Sequence, residues 1–168
     1  IVSKEKIAVI ENYTVKTGRA ANVSAGAVFS NTIVESGGRL YVAGGTLSGK
    51  LQLADGAIVS LSRYQDSIST LNFSVDNMTP ADDYLINNFS IVQMLLSTNL
   101  TITVNADQQA GIYKLAASAD ALSGRTFTIG NASGSYGTLT ANGSSLIHND
   151  TSYQLTLTSG GLHLSVGS

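Results

Sequence analysis

The sequence predicts an all-β chain: a right-handed parallel β-helix with a 19-residue repeat over residues 1–62, then a β-rich C-terminal cap over residues 63–168, packed continuously on the repeats. Three observations lead there. Glycine and aliphatic residues form two series that recur in phase. Alternating segments rich in β-branched residues fill the rest of the chain. Glycine is abundant, at 17 residues, where a helical repeat of that period needs more helix formers and fewer glycines.

The repeat can be read residue by residue. Gly18, Gly26, Gly37, Gly45 and Gly56 are separated by 8, 11, 8 and 11 positions, and Val15, Val23, Val34, Val42 and Leu53 stand three residues before them. Laying residues 23–41 over 42–60 pairs Gly26 with Gly45, Val28 with Leu47, Val34 with Leu53, Gly37 with Gly56 and Leu40 with Val59. A period near 20 residues is the mark of a solenoid. Strands are expected at Thr32-Ile33-Val34, Leu40-Tyr41-Val42, Leu51-Gln52-Leu53 and Ile58-Val59-Ser60-Leu61, with glycines supplying the turns. Each coil would lie ~4.8 Å above the last, with the Val/Leu series inside. The competing reading is a Gly-rich β-sandwich with accidental spacing. About two and a half units are visible, and a solenoid needs about three with a cap. Further repeats are therefore expected upstream of Ile1, and the second half is expected to cover the end of the stack, where an open sheet edge would aggregate. The opening Ile1-Val2-Ser3-Lys4, without Met, reads as a mature product or an excised fragment.

Beyond Leu61 the rhythm stops but alternation continues. Strands are expected at Leu71–Val75, Leu100–Val104, Ile112–Leu115, Thr126–Ile129, Tyr153–Leu157 and Leu162–Val166, with apolar residues on one face and Thr, Ser or Asn on the other. Turn clusters fall at Asn131–Ser135, Asn142-Gly143 and Ser159-Gly160-Gly161, the last closing a hairpin. Thr79-Pro80-Ala81-Asp82-Asp83 has the form of a helix start, with Thr as cap and Pro at the first helical position, but Ile86, Asn87, Asn88, Ile91 and Val92 are mediocre helix residues, so at most one or two turns are expected there, then strand. Ala116–Leu122 is a second short helical candidate. The segment Ser60–Tyr64 is too apolar for a flexible linker, so Leu71, Phe73 and Val75 are expected to dock on the last coil.

Composition restricts function. Charged residues are 12 % of the chain, about half the usual share, so the polar surface falls to 50 Ser, Thr and Asn residues. A net charge of −2 with dispersed Lys and Arg leaves no footprint for nucleic acid. No apolar run approaches the ~20 residues of a membrane-spanning helix. With no Cys there is no disulfide, thiolate nucleophile or thiolate metal site.

The chemistry-bearing residues form no recognised catalytic pattern. His148 and His163 are in no zinc spacing, and read as a solvated turn residue and a solvent-facing strand residue. No Gly-x-Ser-x-Gly elbow or phosphate loop is present. Asp76, Asp82 and Asp83, near Asn77 and Asn87, are candidate oxygen ligands for calcium, against the reading of a turn with a helix cap; they match neither an EF-hand nor a calcium-binding nonapeptide. Glu35, Asp55 and Asp66 each stand alone near a turn, unlike the paired carboxylates of a glycosidase. Tyr41, Tyr64, Tyr84, Tyr113, Tyr136 and Tyr153 have no common spacing and, without Trp, give no evident sugar platform. No catalytic, cofactor or metal residue is assigned. The Asn-x-Ser/Thr triplets are what a chain so rich in these residues contains by composition.

The run Val23-Ser24-Ala25-Gly26, continued by Ser30–Thr46 with Glu35-Ser36-Gly37-Gly38 and Ala43-Gly44-Gly45 at its turns, resembles the AIDA-type repeat of bacterial autotransporter adhesins and related large surface proteins. The likeness covers roughly residues 15–60. Ala110–Ala116 and the closing segments Tyr153–Leu157 and Gly160–Val166 are similar to the β-rich region that follows such repeats. The resemblance implies a non-catalytic passenger at the bacterial cell surface or secreted from it, which attaches to a host surface or glycan ligand or associates with itself. The alternating strands lack aromatic girdles and are too few and short for a translocating barrel. A carbohydrate-active β-helix enzyme and an inert stalk or spacer are the alternatives.

Overall fold

A computed structural model describes residues 8–61 and 68–167 of the chain. The described residues are mostly β, with strands in parallel and antiparallel arrangements and two short 3-10 segments. The predicted boundary between residues 62 and 63 lies outside the described residues, as do Tyr64 and Asp66.

The first seven strands are β1 (Ala8–Glu11), β2 (Thr14–Val15), β3 (Ala20–Ser24), β4 (Ala27–Val34), β5 (Arg39–Ala43), β6 (Thr46–Leu53) and β7 (Ile58–Leu61). They pair in parallel with partners one repeat away. Strand β3 lies on β5 with Ala20 beside Arg39 and Val23 beside Val42, and β5 lies on β7 with Leu40 beside Val59. Strands β1 and β2 both lie on β4, with Val15 beside Val34. Parallel pairing rules out the antiparallel sandwich for this region. Val15, Val23, Val34, Val42 and Leu53 are all buried and belong to one core cluster.

The glycines divide the work of the turns. Gly18, Gly37 and Gly56 all have positive φ, and their backbones form a column: Gly18 N–H donates to Gly37 O, and Gly37 N–H to Gly56 O. In the pairs Gly37-Gly38 and Gly44-Gly45 the first residue carries the positive φ. The second admits the strand below: a Cβ at Gly38 would stand 2.6 Å from Val15 O, and one at Gly45 2.8 Å from Val23 O.

This geometry corrects the predicted pairing of Gly26 with Gly45 and Val28 with Leu47. Gly44, not Gly45, shares the positive φ of Gly26, and Val28 lies beside Thr46 while Phe29 lies beside Leu47. The turn before β6 is one residue short, and β6 recovers it by a bulge at Gly49-Lys50 opposite Asn31. Asn31 Oδ1 accepts from Lys50 N–H, and Asn12 and Asn31, one repeat apart, share the left-handed conformation. From Thr32 beside Leu51 onward the 19-residue register is restored through Val34 and Leu53.

Parallel stacking continues where the sequence period ends. Strand β8 (Thr70–Ser74) lies on β6, β9 (Asn99–Thr103) on β8, and β11 (Thr126–Asn131) on β9. Leu71 thus stands between Leu47 and Leu100, and Phe73 beside Ile102. The Phe73 and Phe127 rings sit 5.7 Å apart in the same core. Strand β12 (Gly134–Thr140) turns back antiparallel on β11 and ends the sheet. Strands β10 (Gly111–Ala116), β13 (Leu146–His148), β14 (Thr151–Thr158) and β15 (Gly161–Gly167) form an antiparallel sheet in the order β10-β15-β14-β13. Ser159 and Gly160, both at positive φ, close the predicted hairpin between β14 and β15. The predicted Asn131–Ser135 turn cluster is shorter than expected, because Asn131 and Gly134 pair within the β11-β12 hairpin.

The expected helix at Thr79 does not form. Thr79 N–H donates to Asp82 Oδ2, closing a local turn instead. The chain then runs extended between β6 and β10, with Ile86 bridging in parallel to Leu51 and Ala116. Asn87 acts here as a piece of strand, its Oδ1 accepting from Leu53 N–H and its Nδ2 donating to Leu53 O. A helix would forfeit these bonds and the burial of Leu85 and Ile86. Helical turns begin later, as a 3-10 segment over Phe89–Ser97 capped by Asn88, with a second at Asp120–Leu122 within the predicted Ala116–Leu122 stretch.

Candidate ligand-binding groove

Strand alternation puts Leu71, Phe73, Leu100 and Ile102 in the core and sends the residues between them outward. Parallel register then aligns the outward residues into rows. One row runs Ser30, Ser48, Asn72, Thr101, Thr128 across β4, β6, β8, β9 and β11. A second contains Thr46 and Thr70, and a third Ser74 and Thr103.

Asn72 ties the rows together. Its Nδ2 donates to Ser48 Oγ at 3.0 Å, while its Oδ1 accepts from Thr101 Oγ1 at 2.8 Å and Thr103 Oγ1 at 3.0 Å. The amide is thereby fixed in rotamer and orientation. Ser48 accepts and so keeps its own proton to donate, while Thr101 and Thr103 donate and keep lone pairs to accept. A shallow groove of about 450 Å³ lies over this network, and no Asp, Glu, Lys or Arg lines it.

Asn131, Gly134 and Ser135 also line a second hollow that reaches Tyr136 and His148, and Thr103 and Asn131 line a third that reaches Asp76. The Tyr136 and His148 rings are stacked, with centroids 3.7 Å apart and planes 10° from parallel. Tyr153 stands behind Tyr136 at 5.8 Å. Burial raises the Tyr153 pKa above the ordinary value of 10.0, and the neighbouring Tyr136 adds to the rise, while a hydrogen bond with Thr151 opposes it.

His148 departs from its predicted setting, while His163 lies on the predicted strand, on the face opposite Leu162 and Leu164, but is more covered than expected. His148 lies on β13, partly buried against Tyr136, because Leu146–His148 pairs with β14. His163 is half-buried, with Nε2 3.1 Å from Tyr84 Oη, and Lys114 Nζ stands 5.8 Å from the centre of the same Tyr84 ring. A Cβ on Gly161 would lie 2.6 Å from Tyr84 Oη, so the absence of a side chain there makes room for the pair. Tyr113 and Tyr153 are core residues.

The three candidate calcium ligands are held by local bonds. Ser74 Oγ donates to Asp76 Oδ1, Thr79 N–H to Asp82 Oδ2, and Tyr84 N–H to Asp83 Oδ1. Asp76 and Asp82 line one cavity of about 300 Å³ with Lys50, and Asp83 does not. Among the described residues no group of three or more His, Asp and Glu side chains is placed to hold a metal ion. Glu35 accepts from Thr17 N–H across neighbouring turns. Among the described residues no helix is long and apolar enough to cross a membrane.

The groove was overlooked in the sequence because its residues come from five strands, each reading only as alternation with polar positions. Register, set by the buried faces, brings them together. Comparison of the whole chain with protein-family models, curated proteins and solved structures finds no match.

Proposed function

We propose that the stacked strands form a right-handed parallel β-helix, and that the chain is a non-catalytic, adhesin-like structural module at a bacterial cell surface or secreted from it, mediating attachment or self-association. The observation that supports this most is the in-register parallel stacking of residues one repeat apart, from Val15 beside Val34 through Leu40 beside Val59. Such stacking builds a stiff object whose every layer presents the same kind of surface, so weak contacts multiply along its length. The sparse charge suits short-range polar contacts rather than long-range steering. The resemblance to AIDA-type repeats supports the surface location.

The test is display of the chain on a non-adherent bacterium. Clumping or attachment above that of a control lacking residues 8–61 supports the reading. No change in either leaves the inert spacer in its place. The enzyme reading is favoured by one feature, the cavity shared by Asp76 and Asp82. Release of reducing ends or unsaturated uronates from polysaccharides, abolished in Asp76→Asn or Asp82→Asn, would replace the adhesive reading with that one.

A further inference from the structure

We propose that the groove over Asn72, with the neighbouring hollow at Tyr136 and His148, is a binding site for a neutral saccharide chain, an inference that rests on the adhesive reading and names the ligand class of the module. The lining selects against charge first. Without a carboxylate, ammonium or guanidinium group, the groove has nothing to neutralise a phosphate, sulfate, uronate or cationic ligand. What it offers is hydroxyls and carboxamides, from Ser48, Asn72, Thr101, Thr103, Thr128 and Asn131, set beside a mainly apolar surface of threonine methyls and Val28.

The directions of these groups matter as much as their identity. Asn72 orients the hydroxyls beside it, so free donors and free acceptors face the groove in fixed places before any ligand arrives. A sugar ring carries adjacent hydroxyls that each donate and accept. It can therefore pair with such a mixed set, where an apolar ligand would leave the hydroxyls unpaired at a cost. Neighbouring strands place equivalent hydroxyls ~4.8 Å apart, a spacing comparable with the length of one pyranose ring. A linear oligosaccharide lying across β6, β8, β9 and β11 thus meets a similar set of partners at each sugar.

The far end supplies a different contact. Sugar rings have an apolar C–H face, and the His148 ring, held in place by stacking on Tyr136, lines the hollow where the hydroxyl rows stop. Pre-organisation by ring stacking and by Asn72 limits the entropy lost on binding.

The test uses the purified chain and four neutral probes, namely cellohexaose, maltohexaose, mannohexaose and xylohexaose, with oligogalacturonate as the charged comparator. Amide shifts are followed by ¹H–¹⁵N NMR up to about 10 mM, a range that captures millimolar binding. The expected result is that at least one neutral probe shifts residues 46–48, 70–72, 101–103, 128 and 134–136 together, while oligogalacturonate does not. Asn72→Ala and the exposed Thr128→Val are each expected to weaken that binding about tenfold, the value of one or two lost hydrogen bonds. Melting temperature identifies a variant that fails to fold, in which case the shift map of the unmodified chain decides alone. No shift with any neutral probe, shifts away from the groove, or equal binding of oligogalacturonate overturns the proposal. Display of Thr128→Val on cells separates the two readings. Attachment that persists after sugar binding is lost overturns the groove as the module's adhesive contact and leaves the adhesive reading. Sugar binding without attachment does the reverse.

Discussion

Val34 and Ile33 are adjacent in β4 but face opposite sides, and they offer a sharp test of the packing. Val34 is fully buried, with Val15 on one side and Leu53 on the other, while Ile33 is 46 % exposed. Val34→Ala deletes two carbons from the core. At ~0.8 kcal/mol per buried methylene the transfer loss is about 1.6 kcal/mol. The residual cavity brings the expected cost to about 2–3 kcal/mol, since neighbours held by strand pairing relax little. For a chain of this size that lowers Tm by roughly 4–12 °C. Ile33→Ala removes more carbon from a half-solvated site and should cost less than about 1 kcal/mol. Val34→Asp places an unpaired carboxylate in the same column and should cost several kcal/mol or prevent folding. Urea and thermal melts monitored by circular dichroism give the three values. If Ile33→Ala costs as much as Val34→Ala, the strand faces are assigned the wrong way round and the column of aliphatic residues is not the core.

Two further outcomes are expected. Thr32 is 1 % exposed, and its Oγ1 has no hydrogen-bond partner. Thr32→Val, which keeps the shape and removes the unpaired hydroxyl, should raise stability by about 1 kcal/mol in the same melts. Tyr153 has a raised pKa in the folded state, so its contribution is fully present below pH 10.0 and lost as pH climbs through the folded value. Wild-type Tm should therefore fall more steeply above pH 10.0 than that of Tyr153→Phe, and parallel curves would remove Tyr153 as the cause.

The legible part of the fold was the part with a strict period. Val15, Val34 and Leu53, and Gly18, Gly37 and Gly56, announce their alignment because a constant spacing of 19 residues brings residues of one kind side by side on parallel strands. Leu71, Leu100 and Phe127 enter the same core on strands of the same sheet, but the connections between them differ in length, so no period marks them. Strand β12 was hidden by Gly134, Ser135 and Gly137, residues that read as turn, and it exists because pairing with β11 satisfies their backbone. The helix signal at Thr79 was a correct local preference overridden by tertiary contacts of Leu85, Ile86 and Asn87. The cover over His148 and His163 was hidden for a related reason: each is covered by a distant aromatic partner, Tyr136 or Tyr84. Of the groove, the sequence disclosed the polar alternation and nothing of the alignment.

The column of backbone bonds from Gly18 through Gly37 to Gly56 has a mechanical consequence. These bonds, like the slanted bonds of the parallel ladders, link neighbouring strands across the stack rather than along them. A load pulling successive layers apart stretches the bonds of one layer at a time, with the rest of the stack still intact behind it. A load drawn along a strand instead shears the whole of its ladder at once, and must break several bonds together. The molecule is therefore expected to be compliant and to yield stepwise when extended along its axis, and stiff when pulled across it. A tether of this construction would dissipate tension layer by layer rather than fail in a single event.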